Sequence, residues 1–200
     1  MSSIFDLLGN SLGDDAIQMI SRQLGADTGA TRSVIEGAIP MLVSGLAKNA
    51  GATGGAEAIL GALTRDHDGS ILDNLAGFLG GGGASQGAGI LGHVFGNKQS
   101  SIENALSQSS GLSPAKVAQI LMMVAPLVMG ALGKMQRGSG LDAGGLGDLL
   151  RGEQGRVRQQ APEAAGFLEQ ILDRDGDGSM ADDIASAGMS ILGGLLGGRR

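Results

Sequence analysis

The chain has 200 residues, 42% of them hydrophobic, with a net charge of −6 and no cysteine. That length and apolar share suffice for a buried core, the lack of cysteine excludes disulfides, thiolate metal sites and cysteine nucleophiles, and the acidic balance without a basic run argues against a nucleic-acid partner. Aromatic residues are only 2%, so Leu, Ile, Val, Met and Ala must fill the interior, and the 38 glycines, having no three-residue period, imply many helix ends and close helix contacts.

The chain opens on Met1-Ser2-Ser3-Ile4-Phe5-Asp6, which lacks the basic region and long apolar stretch of a signal peptide, so a cytoplasmic location is expected. Short helices are expected at about 3–9 and 13–24. A long helix follows with Thr28 as its N-cap, and Pro40 lies about three turns inside it. An interior proline removes a backbone hydrogen bond, so this helix must kink there or end near Ala38. Further helices are expected at about 55–64 and 70–80. The tract Gly80-Gly81-Gly82-Gly83-Ala84-Ser85-Gln86-Gly87 is too dense in glycine to hold a helix and reads as a linker over 81–87.

Beyond it the plan recurs, with helices expected at about 88–95 and 99–109 and then a second long one. Ser113 is its expected N-cap, Pro114 its first residue, and Pro126 kinks it or ends it near Val124. A shift of 86 residues places Gly25-Ala26-Asp27-Thr28 on Gly111-Leu112-Ser113-Pro114, Pro40 on Pro126, Leu46 on Leu132 and Lys48 on Lys134. A cap, an internal proline and a terminal lysine are thus kept at fixed separations, which reads as an internal duplication. The stretch from Val117 to Gly133 carries no charge, but it is shorter than the roughly 20 residues a membrane-spanning helix needs and reads as a core helix. Helices at about 143–151, 155–171 and 179–196 complete the reading.

No segment alternates as a strand would, so the expected fold is all-α: a duplicated helical repeat packed as a compact bundle, with an acidic EF-hand-like loop before the C-terminal helix. Residues 1–80 form the first repeat, 81–87 the linker, 88–172 the second repeat, and 173–200 the acidic loop and final helix.

In that loop, Asp173, Asp175 and Asp177 stand at positions 1, 3 and 5 of the helix-loop-helix calcium pattern, Gly178 at the sharp turn and Ser179 where a backbone carbonyl serves. Position 12 is Ile184, where such loops have a bidentate Glu, so Asp182 or Asp183 must supply the closing carboxylate. Calcium is the expected cofactor, because crowded carboxylate oxygens suit a hard divalent cation. The competing reading is a capped acidic turn: Ser179 and Asp182 have capping-box spacing, but capping leaves the three aspartates before them unexplained. A thinner copy, Asp66-His67-Asp68-Gly69-Ser70-Ile71-Leu72-Asp73-Asn74, has Thr64 in place of the first aspartate and reads as a capped turn, since ligand charge sets affinity.

Other signals are weaker. Gly87-Ala88-Gly89-Ile90-Leu91-Gly92 fits G-x-G-x-x-G without the strand a dinucleotide site needs. His67 and His93 lie in different motifs without a nucleophile beside them, and His93 reads as a hydrogen-bonded packing residue. Met122, Met123 and Met129 read as core first and as an adaptable partner groove second.

The runs His67-Asp68-Gly69-Ser70, Ile90-Leu91-Gly92-His93-Val94-Phe95-Gly96, Ala125-Pro126-Leu127-Val128-Met129-Gly130 and Asp173-Arg174-Asp175-Gly176-Asp177-Gly178-Ser179 resemble the bacterial domain of unknown function 937 family and YidB-like proteins. That resemblance implies a helical bacterial protein and brings no catalytic site with it. The expected function is a non-enzymatic, calcium-binding structural or interaction module, engaging a protein partner or a second copy of itself. The alternatives are a membrane-surface or envelope-associated structural protein and a hydrolase of unrecognised type, which would need a polar pocket around His93.

Overall fold

The computed structural model describes residues 3–80 and 84–160. The first helix, α1 (Ile4–Ser11), starts at Ser3, whose hydroxyl accepts from the Asp6 amide at 3.0 Å while the Asp6 carboxylate accepts from the Ser3 amide at 2.9 Å. Two of the donors a helix start leaves open are thereby satisfied. Helix α2 (Asp14–Leu24) ends at Gly25, which takes the left-handed conformation at φ 55° that a residue with a Cβ resists.

Helix α3 (Thr28–Gly51) is capped by Asp27, whose carboxylate accepts from the Ala30 amide at 2.8 Å. The expected cap, Thr28, is instead the first helical residue, and its hydroxyl lies 3.1 Å from that of the buried Ser21 on α2. Both residues suit the cap, but only Asp27 leaves Thr28 free to face α2. Helix α4 (Gly55–Asp66) leads into a 3-10 turn at Ser70–Leu72 and the short α5 (Leu75–Gly80). The single helix expected over 70–80 is broken because Asn74 caps the second piece, accepting from the Gly77 amide at 3.2 Å.

Helix α6 (Ala84–Phe95) takes in residues 84–87 of the glycine-rich segment. Gly87 is buried, and a Cβ there would collide with the carbonyl of Met122, so this glycine serves close approach and not chain freedom. Helix α7 (Gln99–Ser110) stops at Gly111 with φ 74°. Helix α8 (Pro114–Ser139) starts after Ser113, as the sequence predicts, and stops at Gly140. Helix α9 (Ala143–Gln160) runs through the break expected near residue 152, because Leu146, Leu150, Glu153 and Val157 make one buried stripe at helical spacing across it.

The long helices run on past their prolines. Pro126 denies the Met122 carbonyl its usual helical donor. That same carbonyl is the one Gly87 of α6 packs against. The described residues contain no strand and form a compact all-α bundle with α3 and α8 at its centre. From Met41 to Ala47, and again from Met123 to Gly133, every residue is buried, so these stretches have no solvent face. Helix α8 is long and apolar enough to cross a membrane, but 72% of its most apolar stretch is buried inside the protein, as in a core helix. Each central helix also draws neighbours from the other half of the chain: α7 and α9 pack on α3, and α1 and α4 on α8.

Candidate metal-binding loops

The residues expected to bind calcium, Asp173, Asp175, Asp177, Ser179, Asp182 and Asp183, lie outside the described residues. Their thinner copy after α4 is described in full. Gly69 there adopts φ 94° and packs against Lys134 and the Gly130 carbonyl of α8, where no side chain fits. The next contact along α8 is tighter, since a Cβ on Gly133 would collide with the His67 carbonyl. The turn is thus pressed by its backbone onto a small-residue face of the core helix.

Two of its carboxylates are committed. Asp68 accepts from the Ser70 amide at 3.0 Å with one oxygen and from Arg137 at 3.1 Å with the other, and Asp73 accepts from Lys134 at 2.9 Å. The Ser70 hydrogen bonds hold the Asp68 carboxyl below the usual carboxylate range, with Arg137 adding to the effect. Both bases come from the last turns of α8, so the cations that answer this turn are built into the fold. Among the described residues, no three His, Asp or Glu side chains converge where they could hold a metal ion.

The histidines take different places. His67 is 9% exposed at the end of α4, and burial pushes its imidazole below the usual range against the opposing pull of Asp66. His93 is exposed rather than packed, and its Nδ1 donates to the Gly89 carbonyl at 2.7 Å. The interior positions of its run go to Leu91, Val94 and Phe95, at helical spacing. His93 also presents its own carbonyl to the Asn49 side chain at 2.8 Å, tying α6 to α3. Met123 and Met129 are buried and Met122 half-buried, which is the core arrangement.

Sequence reasoning missed Glu153. It is 3% exposed, accepts from Arg156 at 2.7 Å through Oε1, and has no hydrogen-bond partner for Oε2 among the described residues. The signal was available in the register, since Glu153 continues the Leu146–Leu150 stripe toward Val157.

Residues 6–135 match the family model described as bacterial protein of unknown function (DUF937). This covers more than half of the chain, which therefore belongs to that family. No curated protein and no solved structure matches the chain.

Proposed function

We propose that this member of the DUF937 family is a non-enzymatic helical module that binds calcium at Asp173–Asp183 and uses its bundle for self-association or a protein partner. The observation that carries this reading is the contrast between its two acidic turns. In the turn after α4, Asp73 and Asp68 are answered by Lys134 and Arg137. The C-terminal loop has more carboxylates, at alternate positions with only Arg174 among them, a pattern that suits a hard divalent cation. Asp173, Asp175, Asp177 and the Ser179 carbonyl would ligate the ion, with Asp182 or Asp183 closing the site.

Element order supports the duplication read from the sequence. Shifted by 86 residues, Gln99–Ser110 falls on 13–24, against Asp14–Leu24 for α2, and Pro114–Ser139 falls on 28–53, against Thr28–Gly51 for α3. The helices before and after these, α1 with α6 and α4 with α9, correspond in order but differ in length.

Binding to the folded form alone raises stability by mass action. Calcium is therefore expected to raise the melting temperature of the full chain, and Asp175→Ala and Asp177→Ala to abolish the rise, while Asp68→Ala leaves it in place. Calorimetry detecting no heat of binding at millimolar calcium would reduce the loop to a capped turn.

A further inference from the structure

We propose that His67 is an acid-sensitive latch: neutral, it lets the turn after α4 stay seated on the core helix α8, and protonated, it lets that turn lift. The latch involves the described bundle alone and is independent of the calcium reading.

The turn reaches α8 through alternate residues. The His67 carbonyl lies where a Cβ on Gly133 would stand, Gly69 fits against Lys134 and the Gly130 carbonyl, and the Ile71 side chain occupies the space beside Gly130. His67 and Gly69 are both buried by this seating. The imidazole and the carbonyl against Gly133 belong to one residue, so a ring drawn into water pulls on the tightest of the three contacts.

A neutral imidazole tolerates such a place, whereas an imidazolium carries a charge and two N–H donors whose burial is unfavourable without acceptors. The charge that favours protonation is Asp66, which is exposed at the end of α4 and therefore screened by solvent. Helix α8 brings Lys134 and Arg137 to the turn, already paired with Asp73 and Asp68, and Asp68 has both oxygens engaged. Helices α3 and α9 also pack on α4, but their charged residues, from Arg32 to Lys48 and from Asp148 to Arg158, do not act on the ring. Burial prevails, and the imidazole is held below its usual range.

Because the folded state lowers this pKa, the contribution to stability is fully present above the ordinary His value of 6.5 and is lost as pH falls through the folded value. The latch holds at neutral pH and opens in mild acid. The Asp68 carboxyl of the same turn responds only below 3.8, so the two titrations stay apart.

Two measurements on the full chain test this. The His67 ring, followed by proton NMR and told from His93, the other histidine of the chain, by means of His93→Gln, should titrate below 6.5. The Leu72 and Asp73 amides donate within the turn to the Gly69 and Ser70 carbonyls, at 3.1 Å each. Their exchange, corrected for intrinsic rates, should speed up in acid by about tenfold for each unit that the His67 midpoint lies below the ordinary value, while exchange in α3 stays constant. His67→Gln should abolish the acceleration, and acceleration that survives it overturns the latch. Should that variant not fold, the unmodified chain decides: a His67 ring titrating at or above 6.5, or turn protection that stays constant between about pH 7.5 and 5, overturns the proposal.

Discussion

The central helices α3 and α8 share a design, with a cap, a proline part-way along and apolar residues on every side, yet they receive their neighbours differently. On α3 the close approaches of α6 and α7 are made by side chains, backbone meeting it tightly only where the Asn49 carbonyl faces Gly55 at the turn into α4: a Cβ on Gly37 would lie 2.7 Å from Leu106 Cδ2, and one on Gly45 would lie 2.6 Å from Val94 Cγ1. Along α8 the tightest are made by backbone from distant segments, with the His67 carbonyl against Gly133 and the Met122 carbonyl against Gly87, while Gly130 meets the Ile71 side chain. A leucine methyl can rotate aside, whereas a carbonyl moves only with its chain. The same residue type therefore has a different weight on each helix.

Adding one methyl group at a time should expose that difference. Gly133→Ala and Gly87→Ala are expected to have the largest effect, lowering stability in urea by about 3 kcal/mol or more because backbone must shift. Gly45→Ala should cost about 1–3 kcal/mol, since the Val94 carbonyl, 3.3 Å from the new atom, limits how far that valine can retreat. Gly37→Ala should change stability by less than about 1 kcal/mol, because Leu106 can rotate and alanine favours the helix by a similar amount. If Gly133→Ala unfolded no more readily than Gly37→Ala, the backbone contact would not be what distinguishes α8.

The smallest expected effect lies at the turn that α8 holds. The Asp68 carboxyl is depressed, so its contribution is present above the ordinary value of 3.8 and lost as pH falls through the folded value. Asp68→Asn should therefore lower the melting temperature at neutral pH, with the gap to the unmodified chain closing in strong acid.

Much of the helical framework could be read from punctuation. Ser113 with Pro114 marked the start of α8, and the glycines at 25 and 111 fall just past α2 and α7, where a left-handed residue is needed. Local chemistry sets those positions. The misreadings share a physical cause, since tertiary contacts decided them. Gly87 reads as linker because composition cannot tell a glycine needed for freedom from one needed for contact, and only the Met122 carbonyl separates the two. The stretch 152–154 reads as a break between two helices, but the buried stripe from Leu146 to Val157 carries α9 across it. His93 reads as packed because its neighbours are apolar, although it falls on the outer face of α6. For the candidate metal site, the sequence identified the acidic turn after α4 but not Lys134 and Arg137 as its partners, because they lie more than sixty residues away along the chain.

The exchange of neighbours between the two halves governs how the bundle can assemble. Helix α3 is complete at Gly51, yet it packs on α9, which extends to Gln160, and α1 rests on α8, which starts only at Pro114. A nascent chain that has emerged only as far as Gly80 holds half of every such pairing and leaves the apolar flanks of α3 bare. Contacts so distant in sequence carry a loop-closure cost before they return any stabilisation, which slows folding. Neither half can complete its packing alone, and the described bundle can close only once α9 has emerged.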